Sequence, residues 1–163
     1  RVSRDNSRTP MQWNDDINAG FTESTPWINV NPNYKEINVE KSLQNDDSIF
    51  YYYQDLINLR NANPTLIYGQ YLPILEAHQQ VFAYRRQLKG EEFLIVINFF
   101  GNDVDISLPD KIDLDEYKIM IKNYENVNKK QNSLELKPYD SLVFNFLLKI
   151  VREICEPLYY PFL

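Results

Sequence analysis

Asp47-Ser48-Ile49-Phe50-Tyr51-Tyr52-Tyr53-Gln54-Asp55-Leu56-Ile57-Asn58-Leu59-Arg60-Asn61-Ala62-Asn63-Pro64 is where the period of the chain changes. Ile49, Tyr52, Tyr53, Leu56 and Leu59 fall on one stripe at helical spacing. Asp46 or Asp47 is a good N-cap, and Pro64 disfavours helix at Asn63, so a helix over 47–62 is predicted. At about 1.5–3 kcal/mol per large apolar side chain, that stripe needs a surface to pack on. Core packing is the better reading of it than a ligand platform. Beyond Pro64 the pattern turns strand-like, over 69–75, 81–87, 93–99, 104–108, 117–123, 133–136 and 141–146. Turn pairs such as Lys89-Gly90 and Gly101-Asn102 separate these strands, as in an antiparallel sandwich. Leu94-Ile95-Val96-Ile97 is continuously apolar and fits a central strand. The helix-then-strands order gives an α+β chain with its domain boundary near 64–69.

With 163 residues, one domain or a small domain plus part of another is expected. A net charge of −6 with no basic face argues against a nucleic-acid partner; Arg85-Arg86 and Lys129-Lys130 read as solvated positions. Cys155 is the single cysteine, which rules out an internal disulfide framework. No glycosylation sequon, signal-peptide core or membrane-length apolar run occurs. The chain therefore reads as cytoplasmic, without a membrane partner, and as a fragment, since it opens on Arg1.

Residues 1–45 show no useful period and are rich in Asn, Asp, Thr and Pro, apart from a predicted helical turn at 39–44. Such a long irregular segment is functional or disordered. Trp13, Phe21 and Trp27 argue against disorder, so it reads as an ordered loop lying against something large. Within it, Ser3-Arg4-Asp5-Asn6-Ser7-Arg8-Thr9-Pro10-Met11-Gln12-Trp13 places two guanidiniums four residues apart. By residue type this is either a solvated charge cluster or a set of fixed donors for carboxylates and hydroxyl-rich ligands.

Together with Asn18-Ala19-Gly20-Phe21-Thr22, Pro26-Trp27 and Asn31-Pro32-Asn33-Tyr34-Lys35-Glu36-Ile37-Asn38-Val39, that segment resembles the α-glucosidase branch of the α-amylase superfamily of glycoside hydrolases. Oligo-1,6-glucosidases and dextran glucosidases are the look-alikes. The resemblance covers residues 1 to about 146 and implies three parts. Residues 1–65 would be the end of a catalytic (β/α)8 barrel, a loop plus the last helix. Residues 66–146 would be an antiparallel β-sandwich C-terminal domain, and 147–163 a divergent tail with a possible helix. It further implies that Arg4 contacts the non-reducing terminal glucosyl unit of an oligosaccharide substrate. Arg8 would support the pocket and the neighbouring subsite, while Asp5 and Asn6 shape the loop. The expected partner is an upstream barrel domain of the same gene product.

Retaining glycoside hydrolysis needs two carboxyl groups about 5–5.5 Å apart. The resemblance places them upstream, so none is expected here and the fragment alone is expected to be inactive. The acidic pairs that are present read as structural: Asp15-Asp16 in a loop, Asp46-Asp47 at a cap, Glu91-Glu92 in a hairpin. His78 reads as an exposed turn residue, and no metal site or cofactor is expected. The implied activity is hydrolysis of α-1,6- or α-1,4-glucosidic bonds at non-reducing ends. A trehalose-phosphate hydrolase or sucrose isomerase of the same family stays open. So does a non-catalytic sugar-binding β-sandwich module, although most aromatic residues sit at core-period positions.

Overall fold

The computed structural model describes residues 4–147, which form two compact units dividing between Ala62 and Asn63. The expected helix in the 147–163 tail lies, from 148 onward, outside the described residues.

In the first unit, 3-10 turns at Arg4–Ser7, Ile17–Gly20 and Pro32–Lys35 precede two α-helices, α1 (Val39–Leu43) and α2 (Ile49–Ala62). Side-chain amides replace periodicity as the organising force. Asn38 caps α1 by accepting from the Lys41 N–H at 2.9 Å and donates to the Tyr34 carbonyl at 2.8 Å. The first N–H groups of α1, otherwise without partners, donate to Gln12 and Trp13 carbonyls at 2.9 and 3.0 Å. The predicted turn at 39–44 is thus a short helix held by the loop before it.

The helix α2 starts at Ile49, with Ser48 rather than Asp46 or Asp47 flanking it; Asp47 instead donates its N–H to the Asn45 side chain. Ser48 Oγ and Tyr51 Oη donate to the Ser42 and Leu43 carbonyls, tying α2 to α1. No residue of α2 is buried: Ile49 is 79% and Tyr53 62% exposed, while Tyr52, Leu56 and Leu59 are half-buried. The predicted apolar stripe is thus only partly covered, with Ile49 and Tyr53 left exposed.

The second unit opens with α3 (Pro64–Tyr68). Asn63 is extended, as the following proline requires, and Pro64 then occupies the first helical position, where its missing N–H costs nothing. Eight strands follow: β1 (Gln70–Ile74), β2 (Val81–Leu88), β3 (Glu91–Asn98), β4 (Val104–Ser107), β5 (Tyr117–Lys122), β6 (Asn128–Lys130), β7 (Ser133–Leu136) and β8 (Ser141–Phe146). One antiparallel sheet runs β1-β2-β3-β8-β5 and a second runs β4-β7-β6. Every strand predicted from alternation is present; β6 is additional.

Lys89 and Gly90 join β2 to β3 with φ of 50° and 88°. Two positive φ values in a two-residue hairpin match the right-handed twist of the strands, which is why glycine suits the second position. Inward residues of the larger sheet (Val81, Leu94, Val96, Leu142, Phe144) meet Ile106, Leu134 and Leu136 of the smaller one in a single core. The central strand β3 is buried on both sides, with Phe93 and Ile95 also enclosed, and α3 packs on β2 and β3. The charged pair at 85–86 is not solvated. Arg85 bonds Glu92 at 3.3 Å, and Arg86 donates to the Ile67 carbonyl at 3.0 Å. Lys129 is also engaged, donating to the Leu114 carbonyl at 2.7 Å. Nor are most aromatics in the core: among the described residues only Phe93, Tyr117 and Phe144 are buried.

Candidate functional site

The candidate site is the turn carrying the two arginines. Arg4 begins the 3-10 turn Arg4–Ser7, and its side chain lies outside the described residues. Arg8 closes the turn twice. Its N–H donates to the Asp5 carbonyl at 3.0 Å, and its guanidinium Nη2 pairs with Asp5 Oδ1. The same guanidinium carbon lies 5.8 Å from the centre of the Trp27 ring, within cation–π range. Arg8, Thr9, Phe21, Thr22, Thr25 and Trp27 border a groove of about 360 Å³. Trp27 is 82% exposed, which is unusual for a large ring unless something else covers or uses it.

The far wall of the groove is fixed by Asn18. Its side-chain amide donates to the Thr22 and Ser24 carbonyls at 3.0 and 3.1 Å. Asn18, Ala19 and Gly20 all have positive φ (55°, 58° and 65°), a left-handed run that turns the chain back so that Trp13 N–H reaches the Ala19 carbonyl at 2.9 Å. At Gly20 a Cβ would sit 2.5 Å from Asn14 Oδ1, so both φ and space call for glycine. The half-exposed Arg8 guanidinium and the Trp27 ring thus form one joined wall beside the groove.

Asp5 serves as the loop-shaping partner read from the sequence. The Trp27 contact was missed, because an aperiodic loop offers no spacing rule linking it to Arg8. The acidic pairs at 15–16 and 91–92 have structural partners. Asp15 lies 3.8 Å from Lys41, and Asp16 accepts from Asn14 at 2.8 Å. Glu91 and Glu92 diverge as neighbours on a strand must. Glu91 accepts from Thr65 of α3, and Glu92 accepts from Tyr117, Gln87 and Arg85. His78 is half-buried rather than exposed: its Nδ1 accepts from the Gln80 and Val81 N–H groups at 3.2 and 3.0 Å, shaping the turn before β2. Among the described residues, no cluster of three His, Cys, Asp or Glu side chains could hold a metal. No described helix is long and apolar enough to cross a membrane.

Residues 1–69 match the family model for the α-amylase catalytic domain, and residues 81–143 match that for the α-amylase SusG C-terminal domain. An oligo-1,6-glucosidase of Bacillus cereus is 48% identical over 141 residues, covering 86% of this chain and 25% of the relative. The crystal structure of a Bacillus licheniformis trehalose-6-phosphate hydrolase superposes with a TM-score of 0.82 at 46% identity, over 88% of this chain and 26% of that one. An isomaltulose synthase from Klebsiella sp. LX3 gives a TM-score of 0.81 at 41% identity, over 88% and 26% of the two chains. This chain thus spans about a quarter of the length of the proteins it matches. The loop and α2 lie in the catalytic-domain match, and β2 to β7 lie wholly in the other. The chain belongs to the α-amylase superfamily of glycoside hydrolases, in its α-glucosidase branch.

Proposed function

We propose that the chain is the C-terminal portion of a cytoplasmic retaining α-glucosidase that removes α-1,6-linked, or alternatively α-1,4-linked, glucosyl units from the non-reducing ends of oligosaccharides. The observation that carries this reading is the Arg4–Arg8 turn beside the Trp27 groove, set in the stretch that matches the catalytic domain. In this reading Arg4 donates charge-assisted hydrogen bonds to the hydroxyls of the terminal glucosyl unit, and Arg8 supports the pocket and the neighbouring subsite. The nucleophile and the acid/base carboxyl groups come from an upstream barrel of the same gene product, which also covers the exposed face of α2. Asp15, Asp16, Glu91 and Glu92 are committed to lysine, asparagine, threonine, glutamine, tyrosine and arginine partners, which supports a source outside this segment.

The test is hydrolysis of isomaltose, sucrose and trehalose 6-phosphate by the full-length enzyme. Isomaltose is expected to give the highest kcat/KM; a preference for trehalose 6-phosphate or isomerisation of sucrose would replace this reading with a sibling activity. Arg4→Met is expected to lower kcat/KM by about 10- to 150-fold, the worth of a hydrogen bond to a charged group. The 163-residue chain alone is expected to show no turnover.

A second reading, a non-catalytic sugar-binding module, draws on a groove of about 470 Å³ in the second unit, bordered by Tyr71, Phe82 and Phe99. Titration of the chain with isomaltooligosaccharides decides it: saturable micromolar binding that Phe82→Ala abolishes would favour the module.

A further inference from the structure

We propose that Arg8 is a positioning residue that acts through Arg4 rather than by touching sugar, with Asp5 and Trp27 as its two anchors. The inference rests on the reading of Arg4 as a substrate contact. Arg4 to Ser7 is a single 3-10 turn, too short to hold its own shape in water. Something outside the turn must fix the direction in which Arg4 leaves it. Arg8 does so at both levels of the chain. Its backbone N–H closes onto the Asp5 carbonyl at 3.0 Å, and its guanidinium clasps the Asp5 carboxylate.

The clasp is itself oriented by the Trp27 ring, 5.8 Å from the guanidinium carbon. A planar cation that must both meet a carboxylate and lie against a ring has few orientations left, which a lysine ammonium would not share. Trp27 in turn follows Pro26, whose fixed φ limits the backbone, and the preceding residues are pinned by Asn18 at the Thr22 and Ser24 carbonyls. A continuous run of contacts thus links the left-handed turn at Asn18 to the turn bearing Arg4. It also gives a reason for Trp27 to stay at the surface of its unit: its ring is an anchor for Arg8.

The experiment is a set of cycles in the full-length enzyme, with kcat/KM for isomaltose and the melting temperature measured on the same samples. Arg8→Met and Trp27→Leu are each expected to lower kcat/KM about three- to tenfold, as befits two exposed and individually weak contacts. Added to Arg4→Met, either substitution is expected to cause no further loss, because its effect passes through the side chain already removed. Arg8→Lys, which keeps the charge but not the fork, is expected to behave like Arg8→Met. A general structural role would instead lower the melting temperature and multiply with Arg4→Met, and that result overturns the proposal. So does an Arg8→Met enzyme with unchanged kcat/KM while Arg4→Met is impaired. If Arg4→Met itself is unimpaired, the substrate-contact reading falls, and the positioning role falls with it.

Discussion

Tyr117→Phe removes one oxygen from the interior of the sandwich and tests whether Glu92 is a structural carboxylate. Glu92, 8% exposed on β3, accepts from the Tyr117 hydroxyl, from Gln87 and from Arg85. Tyr117, 7% exposed on β5, stacks edge-on against Phe146 with ring centres 5.2 Å apart, so phenylalanine fits the space. The substitution changes no packing and deletes only the hydroxyl. A hydrogen bond to a charged group contributes about 1.5–3 kcal/mol, and the orphaned carboxylate oxygen belongs at the upper part of that range because little water reaches it. A loss of about 2 kcal/mol would lower the melting temperature of a domain of this size by roughly 8–16 °C.

Burial and the bond to Glu92 also push the Tyr117 hydroxyl well above the ordinary tyrosine range. The folded state therefore favours the neutral phenol. Its stabilisation is complete below the unfolded tyrosine value of about 10, and it is lost as pH rises from there towards the raised folded value. Urea denaturation followed by circular dichroism, on wild type and Tyr117→Phe at pH 8 and again above pH 10, reads both effects. The gap is expected to be about 2 kcal/mol at pH 8 and to shrink at the higher pH. A gap below about 0.5 kcal/mol at pH 8, or one that widens in alkali, would refute this account of Glu92.

Asn38→Ala is expected to cost the first unit about 1–2 kcal/mol, since one buried amide caps α1 and holds the Tyr34 carbonyl; amide exchange at Lys41 should accelerate. Gly20→Ala combines a φ of 65° with a Cβ 2.5 Å from Asn14 Oδ1. About 1–2 kcal/mol of loss is expected, visible as faster proteolytic nicking of residues 13–25. Ile49→Lys with Tyr53→Lys replaces two exposed apolar side chains of α2. In the 163-residue chain it should reduce concentration-dependent association in sedimentation velocity, and in the full-length enzyme it should lower the melting temperature. Equal sedimentation of the two chains would contradict a role for these exposed side chains in association.

What the sequence revealed divides by physical cause. Strands whose alternation reflects one wet and one dry face, such as 117–122 and 133–136, were readable because burial writes a period of two. The strand β6, Asn128–Lys130, was not: its text is polar, and it is a strand only because β7 pairs with it. Pro64 was legible as the end of α2, but not as the start of α3, because the same residue that breaks one helix suits the first turn of another. Arg85-Arg86 looked solvated because adjacent charges usually are. In fact each uses its strand's alternation, Arg85 facing Glu92 and Arg86 facing α3. At the candidate site the arginines stood out by residue type, but their geometry is set by amides, left-handed residues and a distant ring. None of these leaves a periodic trace.

The two units close their apolar surface in opposite ways, and this bears on what the chain is part of. In the second unit β3, β8 and the smaller sheet seal a core from the unit's own residues. In the first, Ala19 is the single buried apolar side chain besides Pro10 among the described residues, while Trp13, Phe21, Trp27, Ile49 and Tyr53 stand half or more exposed. Backbone N–H groups donating to Asn14, Asn31 and Asn38, and Asn18 donating to the Thr22 carbonyl, give such a segment shape. They contribute little net stability, because water competes for the same groups. Exposed aromatic surface on that scale belongs against another apolar surface. In the function proposed above, a catalytic barrel supplied by the rest of the protein meets that requirement. The same proposal accounts for an arginine turn built from polar contacts, which keep its shape without an apolar core of its own.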